Sequence, residues 1–260
     1  MVTIDTESCI GCGACVKDCI ASNLYMENGK AAVRSACFSC GHCVAVCPQN
    51  ACALPSYDMA DVEAYDDASF RLAPENVLHA IKFRRSVRQY QQKPVPQDVL
   101  ERVIQAGRYT ETAVNVQDVE FFVVQQRMQE YKPLAYEGWL TYTQSDDNVP
   151  KNYQSIYENY KKDPVAGDRL FYHAPAVIVV CSNNPVNGAL AAANMETMAV
   201  ALGLGMLVSG QLTRAVNADD RLQAWLGIKG KSAVTNLLVG YPAVTYHRTA
   251  PRKPATVHYL

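Results

Sequence analysis

The chain has 260 residues, with 24 Lys and Arg against 25 Asp and Glu and a formal net charge of −1. That balance exerts no long-range pull on nucleic acid or an anionic membrane, and no polybasic run stands out. With 49% hydrophobic and 19% charged residues, the composition is that of a soluble globular protein of two domains. The opening residues, running straight into Thr3-Ile4-Asp5, do not resemble a secretory signal, so a cytoplasmic location is expected.

Eight of the ten cysteines fall in two copies of one spacing: Cys9, Cys12, Cys15, Cys19, then Cys37, Cys40, Cys43, Cys47. Each copy reads C-x2-C-x2-C-x3-C, and Pro48 follows the second. Such runs hold two [4Fe–4S] clusters, the fourth cysteine of each run binding the other cluster. The expected ligand sets are therefore Cys9, Cys12, Cys15 and Cys47 for one cluster, and Cys37, Cys40, Cys43 and Cys19 for the other. Structural zinc uses separated pairs and leaves the third cysteine at the same interval unexplained. His42 stands between Cys40 and Cys43 rather than after a C-x-x-C pair, which excludes c-type haem attachment. Disulfides would require an oxidising compartment. Cys52 and Cys181 are spare and read as buried apolar residues.

Asn28-Gly29, between Met26 and Ala31, predicts a tight hairpin. Residues 1–55 resemble the bacterial-type two-cluster ferredoxins, with Gly11 and Gly13 where the backbone must fold around a cluster. So short a stretch buries little core, and the clusters must supply much of its folding free energy. Residues 56–75 then carry Asp58, Asp61, Glu63, Asp66, Asp67 and Glu75 against the single base Arg71, an acidic linker with room for one short helix.

A second domain is expected over 76–260. Val77, Leu78 and Ile81 recur at helical spacing, and the helix runs into Arg84-Arg85-Ser86-Val87-Arg88. After the rigid Lys93-Pro94-Val95-Pro96 turn, Val99, Leu100, Val103 and Ile104 mark one face of a helix stopped by Gly107. Thr110 to Gln117 leads into a strand through Phe121–Val124. Residues 131–172 are rich in aromatics, and Tyr153, Tyr157 and Tyr160 share a helical face. They suit packing at an interface between subunits, or a roof over a planar ligand. Asp146-Asp147-Asn148 predicts an exposed turn. Val177–Cys181 and Val234–Val239 read as strands. Gly188–Val208 is rich in Ala and Gly and interrupted by Asn194 and Glu196, which favours a buried helix over a membrane span.

From about residue 75 onward the chain resembles the nitroreductase family of FMN enzymes. The motifs are Arg84-x-Ser86-x-Arg88, Thr112 with Asn115 and Gln117, His173-Ala174-Pro175, Gly203-Leu204-Gly205 and Gly240-Tyr241-Pro242. The resemblance implies an α+β fold, a mixed but mainly antiparallel sheet flanked by helices, in an intertwined homodimer. It also implies FMN held at its phosphate and ribityl chain by Arg84, Arg85, Ser86 and Arg88, and at the flavin edge by Asn115 with Thr112 and Gln117. Ser209 and Gly210, after Val208, would lie against the flavin, and a base of the Pro-rich tail, Arg252 or Lys253, would reach the phosphate. Glu111 and Asp118-Val119 depart from the family's prolines and tryptophan. The tail's last residues, Thr256–Leu260, suit an edge strand on a second copy.

Joined to two clusters, FMN implies an oxidoreductase that passes electrons between clusters and flavin to a nitroaromatic, a quinone or another conjugated acceptor. The flavin N5 is then the reactive centre and no side chain is catalytic; no G-x-G-x-x-G follows a strand. NAD(P)H or an external ferredoxin is the expected donor. Reductive dehalogenation or enone reduction on the same scaffold, and a non-enzymatic electron carrier or redox sensor, are the alternatives. Neither nucleic acid nor membrane is an expected partner.

Overall fold

The computed structural model describes residues 1–35, 37–145 and 149–260, with the side chain of Lys151 excepted; the turn expected at Asp146–Asn148 lies outside them. The chain divides into two compact units. One is Met1–Arg71 together with Thr112–Gln117, and the other is Leu72–Glu111 with Asp118–Leu260.

The first unit contains β1 (Thr3–Ile4), α1 (Ala14–Asp18), β2 (Leu24–Glu27), β3 (Lys30–Val33), α2 (His42–Val46), β4 (Cys52–Ala53) and α3 (Asp67–Phe70). β1 pairs antiparallel with β4 and β2 with β3. The β2–β3 connection is a two-residue turn with both φ positive, 49° at Asn28 and 76° at Gly29, the conformation that Asn-Gly favours. The cysteine loop packs on that turn so closely that an ideal Cβ at Gly11 (φ 71°) would stand 2.0 Å from the Gly29 carbonyl oxygen. Beyond cysteines, its buried core is small: Val2, Leu24, Ala31, Ala51 and Leu54. The acidic stretch after Leu54 holds a 3-10 turn at Met59–Asp61 and α3.

The second unit contains α4 (Pro74–Phe83), α5 (Gln97–Arg108), β5 (Glu120–Val124), α6 (Met128–Ser145), α7 (Lys151–Lys162), β6 (Ala176–Ser182), α8 (Pro185–Ala201), β7 (Gly205–Val208), α9 (Gly210–Ala218), α10 (Asp220–Leu226) and β8 (Ser232–Gly240). The sheet order is β5-β6-β8-β7, antiparallel throughout, and a parallel bridge joins Ser86 to Met206. The four-stranded sheet is thus antiparallel, and among the described residues the expected parallel component is limited to that single bridge. Every residue of β6 is buried because helices cover both faces. Val177, Val179 and Cys181 enter one core, while Ala176, Ile178 and Val180 enter the other.

Three residues of the aromatic stretch correct the expectation placed on it. Tyr131, Tyr136 and Trp139 neither roof a ligand nor face a partner; they are fully buried in the core of their own unit. Tyr136 stacks on Tyr160 at 3.6 Å between ring centroids, and Tyr131 on Trp225 at 5.5 Å. The buried Asp168 carboxylate fastens the region. It accepts from Lys132 Nζ (2.6 Å), Tyr136 Oη (3.1 Å) and the N–H groups of Phe171 (3.3 Å) and His173 (3.1 Å). Charge-assisted bonds of this kind satisfy a charge that burial alone would expel. Among the described residues no helix is long and apolar enough to cross a membrane.

Candidate cofactor sites

In the first unit, the chain order of the cysteines and their placement in space differ. One cavity is lined by Cys9, Cys12, Cys15 and Cys47, and a second by Cys19, Cys37, Cys40 and Cys43. Each thus receives three thiols from one run and the fourth from the other. α1 and α2 present the same face in each repeat: each begins after a left-handed glycine, Gly13 or Gly41, and buries its own cysteine, Cys15 or Cys43.

Main-chain N–H groups converge on the sulfurs. Asn23 donates to Cys19 Sγ at 3.3 Å, Ser39 to Cys37 Sγ at 3.3 Å and Ala51 to Cys47 Sγ at 3.2 Å. Burial pushes the Cys15 and Cys43 thiols up. Burial acts on Cys47 in the same sense, but the N–H groups of Gln49, Ala51 and Cys52 outweigh it and hold this thiol below its usual range. Four cysteines lining each cavity, with main-chain N–H groups on the sulfurs of Cys19, Cys37 and Cys47, suit thiolate ligation of an iron–sulfur cluster, where such hydrogen bonds stabilise negative charge.

Two residues of these cavities escaped the sequence reading. Cys52, read as spare, is buried and lines the same cavity as Cys15 and Cys47. Asn23 lines the other cavity. Its signal was available: Asn23 follows Cys19 by the interval at which Ala51 follows Cys47.

In the second unit, the segment Arg84–Arg88 leaves α4 and lies along β7, with Val87 N–H donating to Met206 O at 2.9 Å. Gly205 permits this approach, since a Cβ there would meet Val87 Cγ2 at 2.6 Å. Arg84 pairs with Glu196 at 2.6 Å, while Arg88 donates to Ser86 O at 3.2 Å and lies 5.8 Å from the Tyr172 ring. Arg85 is half-buried and Ser86 exposed. At the far end of β7, Ser209 caps α9 by accepting from Leu212 N–H, and Gly210 opens that helix. One short strand therefore carries the basic segment beside its start and a helix N-terminus at its end, two features that favour anions. Arg252 and Lys253 are exposed in a tail, residues 251–260, without regular secondary structure.

Thr112, Asn115 and Gln117 fall in the first unit. Thr112 Oγ1 accepts from Gln117 N–H at 3.0 Å, Asn115 Nδ2 donates to Ser39 O at 2.9 Å, and Gln117 Nε2 donates to Tyr57 Oη at 2.9 Å. Val114, Asn115 and Gln117 all have φ near 50°, and left-handed backbone is costly for a β-branched residue such as Val114.

Residues 81–241 match the model of the nitroreductase family, and residues 1–48 that of the 4Fe-4S dicluster domain. Among solved structures, the chain is similar to a nitroreductase with bound FMN from Bacteroides fragilis at 24% identity and TM-score 0.57, over 70% of this chain and 98% of that one. A nitroreductase with bound FMN from Desulfitobacterium hafniense aligns at 22% identity and TM-score 0.56, over 70% and 98%. An FMN-dependent nitroreductase from Clostridium difficile aligns at 18% identity and TM-score 0.57, over 72% and 100%. A search of the curated proteins found no match.

Proposed function

Because this chain belongs to the nitroreductase family, we propose that it is an FMN- and iron–sulfur-dependent oxidoreductase that reduces a conjugated organic acceptor, a nitroaromatic or a quinone. The observation that carries the proposal is the union in one chain of two four-cysteine cavities with a nitroreductase fold whose basic segment is pinned to β7. When bound, the clusters supply single-electron transfer and FMN supplies one- or two-electron chemistry toward the acceptor.

The chain's own residues bind and orient. Cys9, Cys12, Cys15 and Cys47 hold one cluster, and Cys37, Cys40, Cys43 and Cys19 the other. Arg84, Arg85, Ser86 and Arg88 hold the FMN phosphate and ribityl chain, where the guanidinium fork matches phosphate oxygens. Ser209 and Gly210 stand at the N-terminus of α9 and add its dipole. For Thr112, Asn115 and Gln117, a flavin contact is supported by the sequence resemblance alone. The protein acts as a homodimer in the cytoplasm, and Arg252 or Lys253 of the exposed tail completes the phosphate site of a second copy. The apolar, unburied face of α4 supports that assembly.

Anaerobic stopped-flow of the reconstituted protein tests the reading. It is mixed separately with NADH, NADPH and reduced ferredoxin, then with a nitroaromatic or quinone, and flavin and cluster absorbance are followed at separate wavelengths. Reduction followed by acceptor-dependent reoxidation at turnover rates supports the enzyme. A flavin that reduces but passes electrons to no small acceptor makes the protein an electron carrier, and failure to bind FMN overturns the proposal.

A further inference from the structure

The two cysteine runs are repeats, and they diverge beside the fourth cysteine of each. Ser22 and Asn50 occupy matching left-handed positions, φ 50° and 52°. The next residues, Asn23 and Ala51, both donate their main-chain N–H to the sulfur four residues back. Both residues are only 3% exposed. Ala51 ends at its methyl group, but Asn23 carries an amide into the cavity of Cys19, Cys37, Cys40 and Cys43.

The orientation of that amide is fixed by its neighbours. Ser35 N–H donates to Asn23 Oδ1 at 2.7 Å, and since a main-chain N–H only donates, the atom facing it must be the oxygen. Asn23 O accepts from Arg34 N–H at 2.8 Å. Three of the residue's polar groups are thereby satisfied, and Nδ2 is the one left buried without a partner. Around it the cavity is apolar, with Val2, Leu24 and Leu54 in its wall. A buried donor in such a wall is costly unless an acceptor faces it.

Resting on the reading that this cavity holds a [4Fe–4S] cluster, we infer that Asn23 donates its side-chain amide N–H to sulfur of the cluster held by Cys19, Cys37, Cys40 and Cys43, and so makes it the easier of the two to reduce. A hydrogen bond to cluster sulfur stabilises the more negative, reduced state, and does so most strongly in an apolar wall. The other cavity has Ala51 at the equivalent place and the thiol of Cys52 nearby, a weak donor. The duplication is thus unequal at this side chain, which gives electrons a preferred resting place in the first unit.

The test is an EPR-monitored redox titration of the full-length protein and its Asn23→Ala variant, with iron and sulfide assayed on both. Alanine is native at the matching position of the second repeat, so the backbone there tolerates it. The expected result is two full clusters, with only the higher of the two potentials lowered. A tenfold loss in its reduction equilibrium would move it about 59 mV toward the other. Two full clusters with both potentials unchanged would overturn the inference and leave Asn23 as a prop for Ser35. Should the alanine variant lose a cluster, Asn23→Asp keeps the acceptor for Ser35 and removes the donor; it must lower the same potential, and an unmoved potential sinks the idea. Wild-type protein without two complete clusters refutes the cluster reading itself, an outcome the iron assay separates from the rest.

Discussion

The Asn115 side-chain amide donates to the main-chain carbonyl of Ser39, next to Cys40, at 2.9 Å. Its sequence setting pointed to a flavin edge, yet its donor is spent on the loop that carries two cysteines of the second cavity. One neutral hydrogen bond contributes about 1 kcal/mol, roughly fivefold in an equilibrium. Asn115→Ala is therefore expected to speed chelator-driven bleaching of the cluster absorbance several-fold while leaving FMN affinity within about twofold. A tenfold loss of FMN with unchanged bleaching would return Asn115 to the flavin.

Removing the clusters should affect the two units differently. With a core of few apolar side chains besides its cysteines, residues 1–71 have little to replace the lost metal–sulfur bonds. Trp139 and Trp225 both lie in the second unit, in or against its main core. Chelation is expected to expose residues 1–71 to limited proteolysis while the tryptophan fluorescence stays native. A cooperative loss of both signals would show that the two units fold as one.

The cysteine runs and the Asn28-Gly29 hairpin were legible because a ligand spacing or a turn chemistry leaves few alternatives. In the second unit α4, α5, β5, β6, β8 and the Ala-rich part of α8 were legible in their residue patterns, and its fold in the order of short motifs; β7, at the end of the stretch read as a buried helix, and α9 and α10 were not. The aromatic stretch was not. Tyr131, Tyr136 and Trp139 look like ligand- or interface-facing residues until Asp168, 32 residues beyond Tyr136, is seen to satisfy the Tyr136 hydroxyl. Their burial depends on contacts distant in sequence. Asn23 was legible only in part: its interval from Cys19 matches that of Ala51 from Cys47, but its role rests on one amide nitrogen left over after three bonds are made, which no pattern of residue types records.

Gly205 offers a direct test of how the basic segment is positioned. A Cβ there would lie 2.6 Å from Val87 Cγ2 and 2.9 Å from Val87 Cβ. Overpacking of this kind costs about 1–3 kcal/mol. Gly205→Ala is expected to lift Arg84–Arg88 off β7 and weaken FMN binding tenfold or more, measured by flavin fluorescence. Adding Val87→Ala removes the Cγ atoms but not Cβ, so it should restore part of the affinity, and the double-mutant cycle gives the coupling. Independent, additive losses would separate Gly205 from the segment.

Asp118 replaces a family proline and ties β5 to the start of α8. Partial burial works to raise its pKa. Hydrogen bonds from Ser182 Oγ (2.6 Å), Asn187 Nδ2 (2.8 Å) and the N–H groups of Asn183 and Asn184 outweigh that and hold the carboxyl at about 2. A depressed folded pKa adds stability that is complete above the unfolded value, near 3.9, and is lost as pH falls through about 2. Asp118→Ala should cost roughly 2 kcal/mol at pH 7, since bonds to a charged acceptor are each worth about 1.5–3 kcal/mol and exposure discounts them. The gap between wild type and variant in urea unfolding, followed by tryptophan fluorescence, should hold down to pH 4 and close below it. A gap that widens with acid would contradict the assignment.

α4 is amphipathic in sequence and unburied in the single chain. Val77, Leu78, Ile81 and Phe83 are all exposed, and no residue of the helix is buried. Scattered apolar side chains on a surface mean little, but Val77, Leu78 and Ile81 share one face of a short helix and form a patch that water disfavours. The exposed tail, with Val257, Tyr259 and Leu260 uncovered, presents the same problem at the other end of the unit. The proposed homodimer would cover both, because an interface between identical chains buries the same patches twice. Leu78→Glu with Ile81→Glu places two charges in that patch and should convert the dimer to a monomer by light scattering at micromolar concentration. On the proposed role of Arg252 or Lys253 in the phosphate site of a second copy, FMN content should fall with it. A variant that stays dimeric and keeps its FMN would show that α4 faces solvent and that the subunits meet elsewhere.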